Sequence, residues 1–207
     1  MRFSRTSTAI ALLAAMTLAS CGRRDDKAAV VRVLDAATQR VAAEKLVRAF
    51  ADVCLSAVDA HTAVEALKSK GWPAFTVVWD ESDGIFYAAK PSPAGLFVIG
   101  SQRGSAVNLT CVGHYAADRA KPMLSAMEGQ WGASGLGPAM YRESRAWSFT
   151  MRNGALASLP PNVGGGGPAT AAALASLRPG QALVYAQVYA NRPYRDVASL
   201  LSVWRLR

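Results

Sequence analysis

Residues that could bind a metal or act as a nucleophile are few in this chain. It has three cysteines, Cys21, Cys54 and Cys111, and two histidines, His61 and His114, in 207 residues. Zinc sites are built from closely spaced Cys and His ligands, as in CxxC or HExxH. Neither pattern is present, and the two histidines fit a helix start and a strand end. We therefore predict no metal site and no cofactor.

The sequence also shows no recognisable arrangement of residues for hydrolysis. A serine nucleophile requires a base and an orienting group and is often presented in a GxSxG turn, which is absent. The glycine-rich run at 164–170 lacks the Lys that a phosphate-binding loop places before its Thr, so we interpret it as a flexible loop. We predict no catalytic residue and favour a protein that is not an enzyme. A hydrolase of unrecognised type is the third function considered.

Cys54 and Cys111 are predicted to form a disulfide. Leu46, Phe50 and Cys54 share one face of a predicted helix, and Leu109 and Cys111 share one face of a predicted strand, so both thiols point inward. An even pair of cysteines outside the cytoplasm commonly forms one disulfide. Two separate buried thiols are the alternative. Labelling of free thiols under denaturing conditions distinguishes the two.

The first 20 residues have the parts of a secretory signal. Arg2 and Arg5 give a positive start without acidic residues, and the run Ala9–Leu18 is apolar. At about ten residues this run is too short for a membrane-spanning helix, which requires roughly 20, but it suits a signal peptide. Residues 1–20 are therefore predicted to be a signal peptide.

The end of this segment, Leu18-Ala19-Ser20-Cys21, resembles the lipobox of bacterial lipoprotein precursors. The resemblance covers residues 1–21. It implies cleavage before Cys21, diacylglycerol on the Cys21 thiol and, usually, a further acyl chain such as palmitate on the new N-terminus. Two or more acyl chains hold a protein stably to a bilayer. An ordinary signal peptide with an incidental cysteine is the alternative.

The polar segment after the lipidation site predicts a solvated tether at residues 21–29. The residue that follows Cys21 is Gly22, whereas an Asp there would resemble the inner-membrane retention signal of Gram-negative lipoproteins. The resemblance therefore implies a periplasm-facing protein of the cell envelope, anchored through Cys21 to the outer membrane.

Composition predicts a folded domain with excess positive charge. Hydrophobic residues make up 51% of the chain and charged residues 18%. The formal net charge is +9, or +7 after Arg2 and Arg5 are removed with the leader. Since Lys and Arg are scattered, general solubility is the simplest interpretation, although anionic lipids, peptidoglycan carboxylates and acidic partners also fit. No groove-reading motif is present, and we predict no nucleic-acid partner.

Periodicity predicts a single globular α+β domain at residues 30–207. One long helix, or a helix after a short frayed start, is expected over 30–56, and a second over Ala60–Lys70 with Asp59 as its cap. A third is expected over Ala116–Met127, kinked at Pro122 or starting near Lys121, and a loop follows it. A short fourth helix is expected over Ala169–Leu177.

Period-two alternation and turn residues predict the strands. They are expected at residues 74–79, 85–89, 95–99, 106–112, 147–152, 155–159, 182–190 and 198–206. Asp83-Gly84 and Asn153-Gly154 are typical of hairpin turns. The N-terminal helices should thus be followed by an antiparallel sheet of hairpins, or meander, with helices on one face.

The loop before the last strand provides the one candidate contact for a partner. Tyr194 lies between Arg192 and Arg195, and interfaces are enriched in Tyr and Arg, although an ordinary basic loop is the alternative. Our leading hypothesis is a membrane-anchored, non-catalytic lipoprotein that binds an envelope protein or peptidoglycan. A small-ligand or lipid carrier that uses the crevice between helices and sheet is the second. The sequence does not predict an oligomeric state.

Overall fold

The computed structural model describes residues 33–72, 74–79, 84–89, 94–103, 106–136, 144–161, 163–191 and 196–206. Residues 31–207 form one compact unit. The helices are α1 (Ala36–Ala49), continued by a π-helical segment (Phe50–Cys54), α2 (Ala60–Ser69), α3 (Lys121–Trp131) and α4 (Gly167–Ala175). The strands are β1 (Ala74–Trp79), β2 (Gly84–Ala89), β3 (Gly95–Arg103), β4 (Ala106–Ala116), β5 (Gly135–Leu136), β6 (Arg145–Arg152), β7 (Ala155–Leu159), β8 (Gln181–Asn191) and β9 (Asp196–Leu206).

The nine described strands form one sheet in which every described ladder is antiparallel. Their order is β1-β2-β3-β4-β9-β8-β6-β5, and β7 also pairs with β6. The first four strands form the predicted meander. The last strand of the chain, β9, pairs with β4 along the full length of both and so joins the two halves of the sheet. The predicted α+β class is confirmed.

One face of the sheet, called here the first face, packs against α1, the π-helical segment, α2 and α3. Cys111, Leu201, Ala186 and Trp147 lie side by side across β4, β9, β8 and β6. All four are at most 3% exposed and belong to one buried cluster with the helices. Fully burying a Leu or Phe side chain stabilises a fold by about 1.5–3 kcal/mol. Side chains from both layers fill this interior, so a lipid carrier would require it to open.

The first helix begins at Ala36, in agreement with the alternative of a helix that follows a short start. The Asp35 carboxylate accepts hydrogen bonds from the backbone N–H groups of Ala37 (3.0 Å) and Thr38 (2.9 Å) and so caps the helix at Ala36. Hydrogen bonds from the Thr38 hydroxyl and backbone hold the pKa of Asp35 below its usual value. Just before this cap, the Leu34 N–H donates to the carbonyl of Ala116, the last residue of β4.

The prediction that this helix continues uninterrupted to residue 56 is wrong. After Ala49 the chain widens into the π-helical segment, which places Phe50, Val53 and Cys54 in the core at 0–1% exposure. Directly after this segment, Arg205 of β9 donates a hydrogen bond from its Nη2 to the Leu55 carbonyl at 2.6 Å. Burial lowers the pKa of Arg205 from its ordinary value.

The third helix lies later in the chain than the predicted Ala116–Met127. Strand β4 continues to Ala116 because that residue pairs with Asp196 of β9. The helix then starts at Lys121 with proline in its first turn, which confirms the second of the two alternatives for its start. It runs on to Trp131, and Gly135–Leu136 pairs with β6, so the predicted loop there is wrong in part.

The helix cap and the hairpin turn that were predicted from neighbouring residues are confirmed. The Asp59 carboxylate accepts a hydrogen bond from the Thr62 N–H at 2.8 Å and caps α2 as predicted. Asn153 and Gly154 have φ values of +50° and +80°, the left-handed conformation that a tight two-residue hairpin requires. Asp83 lies outside the described residues, although β1 and β2 pair as a hairpin would.

Candidate functional site

The predicted disulfide is present. The Sγ atoms of Cys54 and Cys111 are bonded, and both residues are fully buried. The bond joins the π-helical segment to β4 at the centre of the sheet. Because both thiols are used in it, neither is available as a nucleophile.

Several other predicted site residues lie outside the described residues. These are the lipidation site Cys21 and the partner-contact residues Arg192, Tyr194 and Arg195, which remain predictions. His61 is exposed on α2. His114 of β4 stacks on Phe97, with ring centroids 5.2 Å apart.

In the described part of the chain, no group of three or more His, Cys, Asp or Glu side chains could hold a metal ion. None of the helices in this part of the chain is long and apolar enough to span a membrane.

The other face of the sheet, called here the second face, carries a row of hydroxyl groups that the sequence did not reveal. Ser148, Tyr185, Ser202 and Thr110 are paired in register across β6, β8, β9 and β4. Ser148, Tyr185 and Ser202 are only 2–6% exposed. The Thr110 and Ser202 hydroxyls are 2.8 Å apart and hydrogen bonded. We call these four residues the polar row.

Further polar side chains extend the polar row at β8. The Tyr185 hydroxyl donates to Gln187 Oε1 at 3.1 Å, and Gln187 Nε2 donates to Ser144 Oγ at 2.9 Å. Both Gln187 and Ser144 are at most 5% exposed. Buried polar groups are costly unless hydrogen bonded, so this chain of contacts fixes the orientation of each side chain.

The glycine-rich loop before α4 covers Tyr185. A Cβ at Gly164 would lie 2.5 Å from Tyr185 Cβ, so only glycine fits there. The Thr170 hydroxyl accepts from the N–H groups of Gly164 (2.8 Å) and Gly166 (3.1 Å) and donates to the Gly166 carbonyl (2.8 Å). These bonds give the loop a defined conformation, which its interpretation as a flexible loop did not anticipate.

Burial of Tyr185 makes a pH-dependent stability testable. Burial raises its pKa from 10.0 to about 12. The folded state therefore holds the phenol proton more tightly than the unfolded state, and this contribution is complete below pH 10 and is lost as pH rises towards 12. We expect the free energy of unfolding to fall by about 1.4 kcal/mol per pH unit in this window. Urea denaturation at several pH values measures this slope.

Tyr185→Phe is the control for that titration. The substitution removes the hydroxyl that titrates. It should therefore remove the contribution of Tyr185 to the fall in the free energy of unfolding with pH, while the other ionisable groups still titrate. Tyrosinate absorbance should likewise show one late-titrating tyrosine fewer in the variant than in the native protein. Equal slopes for the two proteins would contradict the assignment.

A small cavity lies along the edge of β6 that faces away from β8, at the point where the strand paired with β6 changes from β5 to β7. Ala146 pairs with Gly135 of β5, whereas Ser148 pairs with Leu159 of β7, so the cavity forms between the two partners. Its volume is about 140 Å³. We call it the Trp cavity; its lining includes Trp131, Trp147, Ser134, Ser148, Ser158 and Pro161.

Hydrogen bonds hold several groups of the Trp cavity in place. Trp147 Nε1 donates to the Gly132 carbonyl at 2.9 Å, and the Ser134 hydroxyl donates to Glu128 Oε1 at 2.9 Å. The two indole rings meet edge to face, with centroids 6.2 Å apart. Ser148 Oγ is buried and has no hydrogen-bond partner among the described residues.

A larger groove of about 390 Å³ runs beside α1. Lys45 Nζ lies 4.3 Å from the centroid of the Trp72 ring, and Arg48 forms an exposed ion pair with Glu44 at 3.8 Å. Exposed pairs of this kind contribute about 0–1 kcal/mol. The mixed charges of this groove favour a solvated surface over a specific site.

A scan against protein-family models and searches of curated proteins and of solved structures gave no match to this chain.

Proposed function

We propose that this chain is a lipid-anchored, non-catalytic protein of the bacterial cell envelope whose globular domain binds a protein or polymer partner. The observation that carries the proposal is how the three cysteines are used. Cys54 and Cys111 form a disulfide, as is usual for proteins of oxidising compartments. The third, Cys21, ends a signal-like leader in a lipobox-like sequence. On this proposal Cys21 attaches the protein to the membrane, and Cys54 and Cys111 stabilise the fold.

The disulfide also supports binding over thiol chemistry. A free thiolate is required for cysteine nucleophiles, and both buried cysteines are bonded to each other. What the fold does provide is a rigid scaffold: a sheet crosslinked to its helix layer, with an ordered loop over its second face. Such scaffolds are suited to presenting a binding surface on fixed elements.

The mass of the mature protein tests the anchor. We expect the protein extracted from membranes to begin at Cys21 and to carry acyl chains, and we expect Cys21→Ser to lose them. An unmodified, soluble product from the natural sequence would remove the anchor from the proposal.

Crosslinking and pull-down from detergent-solubilised envelopes test the binding function. An envelope protein or peptidoglycan fragments should be enriched with the natural chain. Arg192→Ala/Arg195→Ala tests the predicted contact loop, and Arg178→Ala, an exposed arginine after α4, is the matched control. No enrichment in several detergents would count against the binding function.

A further inference from the structure

We infer that the outer edge of β7 pairs antiparallel with β7 of a second copy of this chain, so that two sheets join into one. The inference goes beyond the proposed function and does not depend on the anchor, because β7 lies within the globular domain. No local sequence pattern shows which strand lies at the edge of a sheet, so the surface becomes visible only in the fold.

The outer edge of β7 has no neighbour among the described strands, since β7 pairs there with β6 alone. In a four-residue turn the last N–H donates to the first carbonyl, which directs the Ala155 N–H towards Arg152 of β6. Backbone groups alternate along an antiparallel strand, so those of Leu156 and Ser158 point away from β6. No backbone group elsewhere in the described ranges bonds to these two residues. Such unpaired groups are a template for a further strand.

The side chains of β7 leave this edge accessible. Ala155, Ala157 and Ser158 are exposed, while Leu156 packs on the buried cluster and holds the strand in place. Proteins commonly block such edges with Lys, with Pro or with a bulge. β7 has none of these, because its register with β6 is continuous and Pro160 follows its last residue. An extended strand can therefore approach β7 directly.

The absence of charge along this edge favours a second copy over an acidic or basic partner. Residues 153–161 contain no ionisable side chain, although the whole chain has a formal net charge of +9. Two copies repel each other on average, but not here, and a charged peptide would find no opposite charge. In the symmetric pairing described next, the two copies of Arg152 would be about 20 Å apart, beyond the Debye length of about 8 Å.

Symmetry selects one register for this pairing. When two identical strands pair about a two-fold axis, each contact occurs twice. With Ala157 on the axis, Leu156 lies opposite Ser158 of the second copy, and the two such pairs exchange four backbone hydrogen bonds. The neighbouring registers place Leu156 opposite Pro160, which has no N–H, or Ser158 opposite Gly154 of the turn. The small Ala157 side chain also lets the strands approach at the axis.

A cysteine at the axis tests this register. In the non-hydrogen-bonded pair that Ala157 forms with itself, the Cα atoms are about 4.5 Å apart, within the roughly 4.4–6.8 Å of disulfides. We expect Ala157→Cys, oxidised in membranes, to give a dimer on a non-reducing gel. Ala155→Cys is the matched control, because its two copies would be about 14 Å apart and cannot be bridged. The natural chain shows any crosslink through Cys21. Equal crosslinking of both variants, or of neither, would overturn the inference.

Sedimentation equilibrium of the purified full chain in density-matched detergent measures the dimer itself. We expect a monomer–dimer equilibrium with a dissociation constant of roughly 1–100 μM, since one strand pair is a small interface. Ser158→Pro removes one outward N–H from each copy and leaves the ladder to β6 intact, so it should weaken the dimer by about ten-fold. Ser158→Ala keeps this N–H and should dimerise as the natural chain does.

Two results of the sedimentation experiment would contradict the inference. A monomer at every concentration in this range would show that the edge stays unpaired, and a dimer that Ser158→Pro leaves unchanged would use another surface. Circular dichroism checks each variant. If Ser158→Pro does not fold, Ala157→Lys replaces it, because it places like charges opposite each other at the axis. An unlipidated mass would contradict the proposed anchor without affecting the dimer.

Discussion

Reduction of the Cys54–Cys111 disulfide is expected to lower the free energy of unfolding by about 4 kcal/mol. The two cysteines are 57 residues apart, so the bond removes the conformational freedom of a long loop from the unfolded chain. It also joins the helix layer to the central strand β4. Urea denaturation followed by circular dichroism, with and without reductant, measures the difference.

The double variant Cys54→Ala/Cys111→Ala separates the crosslink from other effects of the reductant. Both side chains are fully buried, so this variant loses the bond and some packing and should be at least as destabilised as the reduced natural chain. Its stability should not respond to reductant. Identical urea midpoints for the oxidised and reduced natural chain would show that the bond adds no stability.

Leu46→Ala is expected to destabilise the fold by about 3–5 kcal/mol. Leu46 is fully buried in α1, and its side chain packs directly on Gly113 of β4. A Cβ built at Gly113 would lie 2.6 Å from Leu46 Cδ2. Gly113→Ala alone should therefore cost about 1–3 kcal/mol through overpacking. Urea denaturation of both single variants measures these costs.

The double variant Leu46→Ala/Gly113→Ala tests whether the two positions share one space. The alanine methyl at 113 would occupy part of the void that Leu46 leaves, so the double variant should be more stable than the sum of the single effects by about 1–2 kcal/mol. Val41→Ala, at an exposed position on the same helix, should change stability little. Simple additivity would mean that Leu46 does not rest on Gly113 in solution.

Features set by neighbouring residues could be predicted from the sequence. The Asp59 cap and the Asn153-Gly154 turn depend on hydrogen bonds and dihedral angles within a few residues. The disulfide could be predicted because each cysteine shares the apolar face of its own element. The α+β class follows from the same periodicities.

Features that depend on strand register could not be predicted. The polar row requires that residues as distant as Thr110 and Ser202 be paired, and no local pattern specifies which strands become neighbours. The Trp cavity requires in addition that β5 and β7 share one edge of β6. The π-helical segment went unpredicted because its residues continue the apolar periodicity of α1.

The contacts around the π-helical segment have a mechanical consequence. Three links connect the N-terminal part of the domain to the two central strands: the Leu34–Ala116 hydrogen bond, the Cys54–Cys111 disulfide and the Arg205–Leu55 hydrogen bond. A pulling force applied before Leu34 would first load the hydrogen bond to Ala116 and then α1, and at Cys54 the disulfide would carry the force across to Cys111 of β4. Residues 55–110, which the bond encloses, could therefore not be extended while the bond is intact.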